Sequence, residues 1–160
     1  MIRAATADDL PQINKIYEYA RSFMADNANP TQWSGGYPKE SMLKNDIENQ
    51  NLYVIENDNG ICAVFAFIIG EDKSYEVIEN GSWLSDSVYG TIHRIASDGK
   101  AHGVLKQAVE FCLEKIPHLR IDTHADNLIM QRQILKNGFK RCGTIYVDDG
   151  TARIAYELIL

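Results

Sequence analysis

The chain has 160 residues, of which 45% are hydrophobic and 24% charged, and a formal net charge of −6 at pH 7. That length suits one domain with one substantial core, and the balance of apolar and charged residues is that of a soluble globular protein, not a disordered one. Acidic residues number 22 against 16 basic ones, which argues against a general grip on nucleic acid and makes a cationic small molecule or basic peptide the better partner. The opening MIRAATADD has no basic stretch leading into an apolar one, and no apolar run approaches the ~18 residues of a membrane span. A cytoplasmic protein with no membrane contact is expected. Cys62, Cys112 and Cys142 form no C-x-x-C pair and sit in apolar patterns, which predicts buried, reduced thiols.

Residues 1–5 (MIRAA) alternate weakly and predict a strand. Thr6 followed by Asp9 resembles a capping box, and Leu10, Ile13, Tyr17, Ala20 and Met24 then form one apolar helical stripe ending near Asn27. Regular structure should stop over residues 28–38 (ANPTQWSGGYP), where prolines and paired glycines collect. Trp33 and Tyr37 in this stretch either cover the core edge beneath a loop or form the aromatic wall of a substrate pocket. A second helix is predicted from Pro38 to about Asn49, with Met42, Leu43 and Ile47 facing inward. Residues 52–56 (LYVIE) and 61–70 (ICAVFAFIIG) flank the turn Asn57-Asp58-Asn59-Gly60 and predict a hairpin whose second strand is covered on both faces. Residues 71–89 are a polar, acidic insertion with Trp83 and Leu84 as its anchor. This predicts a solvated loop, with a flexible wall for a cationic substrate as the alternative.

The strand at 89–96 feeds IHRIASDGKAHGV (92–104), in which an apolar run stops at a turn with Gly99 and Gly103 and a helix opens near His102 or Gly103. Glycines permit positive φ and close approach, and the first amides of a helix have no internal partner. Such a turn can hold a phosphate or pyrophosphate, although a purely structural turn reads the same way. Val104, Leu105, Ala108, Val109, Cys112 and Ile116 mark the buried side of this helix, which stops near Pro117. A strand at 119–123 (LRIDT), the turn HADN, a short helix from about Asn127 to Asn137 stopped by Gly138, and a closing hairpin (139–147 and 151–160) complete the order β α α β β β α β α β β. One parallel crossover flanked by hairpins implies a mixed sheet with helices on both faces.

At these stretches the chain resembles the GNAT superfamily of acetyl-coenzyme A dependent N-acetyltransferases. The resemblance rests on strand plus HRIASDGKAHGV plus helix, on RIDTHADN with the Asn127…Gly138-Phe139 spacing, and on the closing hairpin. The tract WSGGYP, with HRIAS and RIDTH, is similar to one bacterial subgroup. The resemblance implies an α/β (α+β) fold: a mixed, mostly antiparallel central sheet of about seven strands, helices on both faces, and a V-shaped gap between strands four and five. It implies acetyl-coenzyme A as co-substrate, held by Ile95, Ala96, Gly99, Lys100, Ala101, His102, Gly103, Val104 and Asn127, and no metal. The chemistry it implies is direct attack by an amine of a small molecule or peptide on the thioester, and a homodimer is the assembly to consider.

Two departures from the family pattern stand out. Where the family turn reads Arg/Gln-x-x-Gly-x-Gly/Ala, this chain has Asp98 and Ala101; where many members carry a tyrosine acid, it has Ile134. For proton transfer the candidates are His93, His124 with Asp126, and Tyr146, with Glu71 and Glu79 more distant through a water. The structural alternatives are a hydrogen-bonded sheet-face histidine for His93, a turn or helix cap for His124, and a cross-strand aromatic for Tyr146. The four histidines show no metal-ligand spacing. The rival functions are a coenzyme-binding sensor or scaffold without efficient turnover, and a subunit acting through a partner docked on the Trp33–Tyr37 loop.

Overall fold

The computed structural model describes residues 1–160. Its strands are β1 (Ile2–Ala4), β2 (Leu52–Asn57), β3 (Gly60–Ile69), β4 (Gly90–Ser97), β5 (His118–Thr123), β6 (Lys140–Tyr146) and β7 (Ala152–Ile159). Its helices are α1 (Leu10–Asp26), α2 (Glu40–Glu48), α3 (Val104–Leu113) and α4 (Leu128–Lys136). The strands form one sheet in the order β1-β2-β3-β4-β5-β7-β6, in which only the β4–β5 pair is parallel. This is the mixed, mostly antiparallel sheet that the alternation of elements predicts.

Helices cover both faces. Leu10, Ile13, Ile16, Tyr17 and Ala20 of α1 pack with Leu43 of α2 on Leu52, Val54, Val64 and Ala66. On the other face α3, through Leu105, Ala108, Val109 and Cys112, and Ile134 of α4 pack on Phe65, Phe67, Ile92, Leu119 and Ile121. Along β3 successive side chains therefore enter opposite cores, which is why ICAVFAFIIG has no polar face. The capping-box residues act slightly earlier than a simple helix start: residues 7–9 form a 3-10 turn and α1 begins at Leu10, with Pro11 in its first turn.

The gap in the sheet lies beside a bulge in β4. The β4–β5 register holds only at Gly90–Leu119 and Thr91–Arg120. On the other edge of β4, Val64 pairs with Ala96 and Ala66 with His93, so Phe65 stands opposite both Arg94 and Ile95. This bulge puts Arg94 in the left-handed region at φ 51°, which costs about 1–3 kcal/mol unless its surroundings fix it. They do: the Arg94 guanidinium donates to Asp46 Oδ2 at 2.6 Å, and the Tyr17 hydroxyl donates to the Arg94 carbonyl at 2.7 Å. From Ile92 onward, through the bulge and past it, β4 is not paired with β5.

The insertion between β3 and β4 is mostly exposed, as expected of a solvated loop, but Leu84 is not its anchor. Its anchor is Tyr75, which is buried, whereas Leu84 is 55% exposed. The Tyr75 hydroxyl donates to Asp122 Oδ2 at 2.6 Å and the Trp83 indole donates to the Tyr75 carbonyl at 2.9 Å. Beneath it lies a buried polar cluster. Glu157 accepts from Arg120 Nε at 2.8 Å and from the Leu84 amide at 2.6 Å, and bonds the His118 ring, while the Arg120 guanidinium is sandwiched between Trp83 and Tyr89 at 3.8 and 3.9 Å. The insertion is pinned because the polar side chains of β5 and β7 need partners that a bare sheet face does not supply.

All three cysteines are free and buried. Burial pushes the Cys112 thiol up to about 12 and, aided by the neighbouring Glu157, the Cys142 thiol up to about 11.

Two stability measurements probe this architecture. Glu157→Ala leaves Arg120 and His118 buried without their shared acceptor, and urea unfolding should show a loss of about 3–5 kcal/mol; a loss below about 1 kcal/mol would contradict the clamp. At the N-terminus Arg3 donates to both oxygens of Asp9 at 2.8 and 2.9 Å. Those bonds outweigh burial and, with the Thr6 amide, pull the Asp9 carboxyl from 3.8 to about 2. A depressed carboxyl stabilises the fold above its unfolded pKa. The stability difference between wild type and Asp9→Asn should therefore be complete above about pH 4 and disappear as the pH falls through about 2.

Candidate active site

Two cavities of about 660 Å³ each open on either side of the β4–β5 gap. They meet at Met24, Ile95, Asn127 and Met130, which line both. One is a groove between α1, the end of β4, and the beginnings of α3 and α4; the other is a pocket between the 28–38 loop, the start of the insertion, and the β6–β7 turn.

The groove is apolar along Ala20, Phe23, Leu128 and Ile129, and carries His102 and Arg132. At its glycine turn Gly103 precedes α3 in the left-handed conformation at φ 67°, with no atom within 4 Å of where a Cβ would stand. The N–H groups of Val104 and Leu105, in the first turn of α3, have no intrahelical acceptor and carry the positive end of the helix. Gly99, at φ 80°, lies against the Tyr19 ring, which would have to move to admit a side chain there.

The turn differs from the nest expected over Gly99 to Val104. Asp98 Oδ1 accepts the amides of Lys100 at 2.8 Å and Ala101 at 3.0 Å, so two of those donors are already used. The reason is local: an aspartate closes its own turn onto the amides two and three residues on. Lys100 is exposed and lies outside the groove lining, whereas Ile95, Ala96, Gly99, Ala101, His102, Gly103, Val104 and Asn127 all line it.

In the pocket His93 and Asp72 are joined, Nε2 to Oδ2, at 2.9 Å. Burial opposes ionisation of Asp72, yet the hydrogen bond and charge of His93, with the Ser74 amide, hold its carboxyl below the usual value. Asp122 goes the other way. Its burial pushes the carboxyl up, more than His93 and the Tyr75 hydroxyl pull it down. Two carboxyls with opposite displacements thus act on one histidine, Asp72 by a direct hydrogen bond and Asp122 through its charge.

Trp33 and Tyr37 both line this pocket, 6.2 Å apart, with Trp33 edge-on to Tyr17 at 5.6 Å. Their loop is tied down by Gln32, whose Oε1 accepts from Asn127 at 3.0 Å and Asn29 at 2.9 Å. Asn127 also caps α4, its Oδ1 accepting the Met130 amide at 3.1 Å.

His124 lies outside both cavity linings. Its Nδ1 accepts the Asp126 amide at 3.0 Å and its Nε2 meets the Thr31 hydroxyl at 3.3 Å, which is the turn role open to it from the sequence. Tyr146 is 43% exposed, donates to Glu79 at 3.0 Å and lines neither cavity. Ile134 is wholly buried in the core under α4.

The sequence did not single out Asp72, Tyr75, Asp122, Gln32 or Arg153 as site residues, although all line or brace the pocket. A signal existed for two of them: in RIDT and ARIAYE polar and apolar residues alternate, so Asp122 and Arg153 share the face opposite the α3–α4 core.

A scan against protein-family models gives no match, and neither does a search of curated proteins. Solved structures do match. An acetyltransferase of the GNAT family from Streptococcus agalactiae is 32% identical, with a TM-score of 0.90 over 100% of this chain and 95% of that one. The chain belongs to the GNAT acetyltransferase family. A GNAT-family acetyltransferase from Listeria monocytogenes, 20% identical, has a TM-score of 0.71 over 100% of this chain and 94% of its own. A ribosomal-protein-alanine N-acetyltransferase from Brucella melitensis, 17% identical, shares the fold with a TM-score of 0.65 over 100% of this chain and 99% of its own.

For a GNAT protein the groove residues fit acetyl-coenzyme A, an extended ligand with an apolar arm and a pyrophosphate. The open space at Gly103, the first amides of α3, and Arg132 suit the pyrophosphate, while the apolar wall suits the arm. Asp98 opposes it in two ways, by its charge and by occupying the Lys100 and Ala101 amides. Asp98→Asn keeps an oxygen for the Lys100 and Ala101 amides and removes the charge. It should tighten acetyl-coenzyme A about 2- to 5-fold in isothermal titration, the scale of one charge at a helix N-terminus; unchanged or weaker binding would contradict this reading of the turn.

Proposed function

We propose that the protein transfers the acetyl group of acetyl-coenzyme A to a primary amine of a small molecule or peptide, with His93 taking the proton from the incoming ammonium. One observation carries the reading. Groove and pocket meet at Ile95, two residues from His93, whose Nε2 is committed to Asp72 and whose Nδ1 has no protein partner.

Acetyl-coenzyme A, when bound, supplies an acetyl group activated as a thioester. The amine nitrogen replaces sulfur on the acyl carbon, so the acceptor must lose its ammonium proton before it can attack. His93 Nδ1 receives that proton from the pocket side, and Asp72, accepting Nε2–H, fixes the tautomer and steadies the charged ring. Beyond Thr91 the β5 edge of β4 is unpaired, which leaves backbone amides on that edge near Ile95 to hold the arm and polarise the acyl carbonyl. Trp33 and Tyr37 wall the acceptor.

Ile134 gives no acid for the departing sulfur, and the reading needs none. A thiol of pKa about 8.5 leaves acceptably as thiolate near neutral pH.

The test pairs titration calorimetry with thiol release against a broad amine panel. Acetyl-coenzyme A should bind, and at least one amine should release thiol; His93→Gln should lower kcat by about 100- to 10,000-fold with coenzyme affinity retained. An unchanged kcat in His93→Gln would remove His93 from the reaction. Binding without release across the panel would instead favour a coenzyme-binding sensor or scaffold, the reading to which Asp98 lends weight.

A further inference from the structure

Arg153 stands out among the charges of the acceptor pocket. It lies near the start of β7, is 8% exposed and lines the cavity. Its Nη1 donates to the Thr151 hydroxyl and the Ala152 carbonyl, both at 2.9 Å. No carboxylate oxygen lies within 4.0 Å of its guanidinium, unlike Arg3, Arg94 and Arg120, each of which has one. Nε and Nη2 have no protein acceptor, yet neither is sealed in packed protein, as Arg94 Nε is. These two nitrogens form the side-on fork whose spacing matches the two oxygens of a carboxylate.

Burying a guanidinium without a counter-charge is costly, and the cost is met when a ligand brings the missing anion. The other charges of the pocket reach it only through space: Asp122 and Asp149 both feel its charge, but neither forms an ion pair with it. Asp122 sits one strand away on the same sheet face and is engaged by the Tyr75 hydroxyl; Asp72 is engaged by His93. Asp148 and Asp149 at the rim are exposed and screened, and Asp149 is turned onto Thr151. Lys73, also exposed, adds positive charge at the mouth, and Arg94 is held by Asp46.

We propose that the acceptor is a small amino acid, whose carboxylate is held by the Arg153 fork while its amine faces His93. The proposal rests on the acetyl-transfer reading and narrows it. The pocket then has two ends of opposite preference: the paired His93 and Asp72 receive an ammonium, and Arg153 receives a carboxylate. An amine without an acid leaves the buried fork empty, so selection falls on the acceptor's distant end. The overall acidity of the chain, which points to purely cationic acceptors, is thus overridden locally by one buried residue.

The experiment compares free L-amino acids with their carboxamides and their decarboxylated amines on the wild-type protein. Two readouts are used: thiol release from acetyl-coenzyme A, and direct binding by saturation-transfer NMR in the presence of coenzyme A. For the best acceptor the acid should exceed its amide and its decarboxylated form by about 10- to 100-fold in kcat/KM, the range of one charged hydrogen-bonded pair. In Arg153→Gln that ratio should collapse towards one. Amides or simple amines that match or exceed the acids would overturn the proposal, as would peptides that outperform free amino acids, or a ratio that survives Arg153→Gln. If no amine releases thiol, the transfer reading fails by itself, and the binding arm still decides the carboxylate site. Because the wild-type comparison is complete without the variant, misfolding of Arg153→Gln would not leave the question open.

Discussion

A single left-handed residue in the middle of a strand marks the place where the central sheet opens. Arg94 adopts φ 51° at the β4 bulge, and β4 leaves β5 after only two paired positions. Both cavities meet at this opening. The groove approaches from the α3 and α4 side, the pocket from the other, and Ile95, next to the bulge, belongs to both. The conformation is held by parts distant in sequence: Asp46 of α2 takes the Arg94 guanidinium and Tyr17 of α1 takes its carbonyl. The two N-terminal helices thus do more than cover a sheet face. They keep a strained backbone in place, the usual situation of strain at a working site.

The second organising feature is the alternation along β5 and β7. Leu119, Ile121, Ile154 and Tyr156 enter the α3–α4 core, while His118, Arg120, Asp122, Arg153 and Glu157 point to the other face. That face is apolar under α1 and α2 but polar here, because it is covered by the insertion and not by a helix. Near the closed end of the gap the polar side chains satisfy one another through Glu157; towards the open end they line the pocket. One strand pattern therefore supplies both the clamp on the insertion and the chemistry of the site.

Much of the fold was legible in the sequence because its signals are local and periodic. The apolar stripe of α1, the Asn-Asp-Asn-Gly hairpin and the Asn127…Gly138-Phe139 spacing each report on neighbouring residues. The site was legible where backbone geometry defines it, at Ile95, Gly99 and Gly103, and at His93, whose type limits its chemistry. What escaped was pairing between distant segments. Nothing near Asp72 announces that it will meet His93, nor near Tyr75 that it will meet Asp122. Tyr146 and His124 were plausible as residue types, but register carries one to Glu79 and a local turn engages the other. Asp98 stands out in the sequence for its charge, yet its hold on two amides depends on turn geometry that composition does not encode.

The cysteines have a consequence for sulfur chemistry. Acetyl transfer from a thioester releases a mobile thiol beside the protein, and in an oxidising moment that thiol can become a disulfide open to exchange. Exchange needs an accessible thiolate on the protein. Cys62, Cys112 and Cys142 are buried, line neither cavity and are all shifted towards the protonated form. Burial and the protonated form thus both disfavour mixed-disulfide formation with a thiol released in the groove, and the three cysteines should stay reduced whatever the redox state of the coenzyme pool.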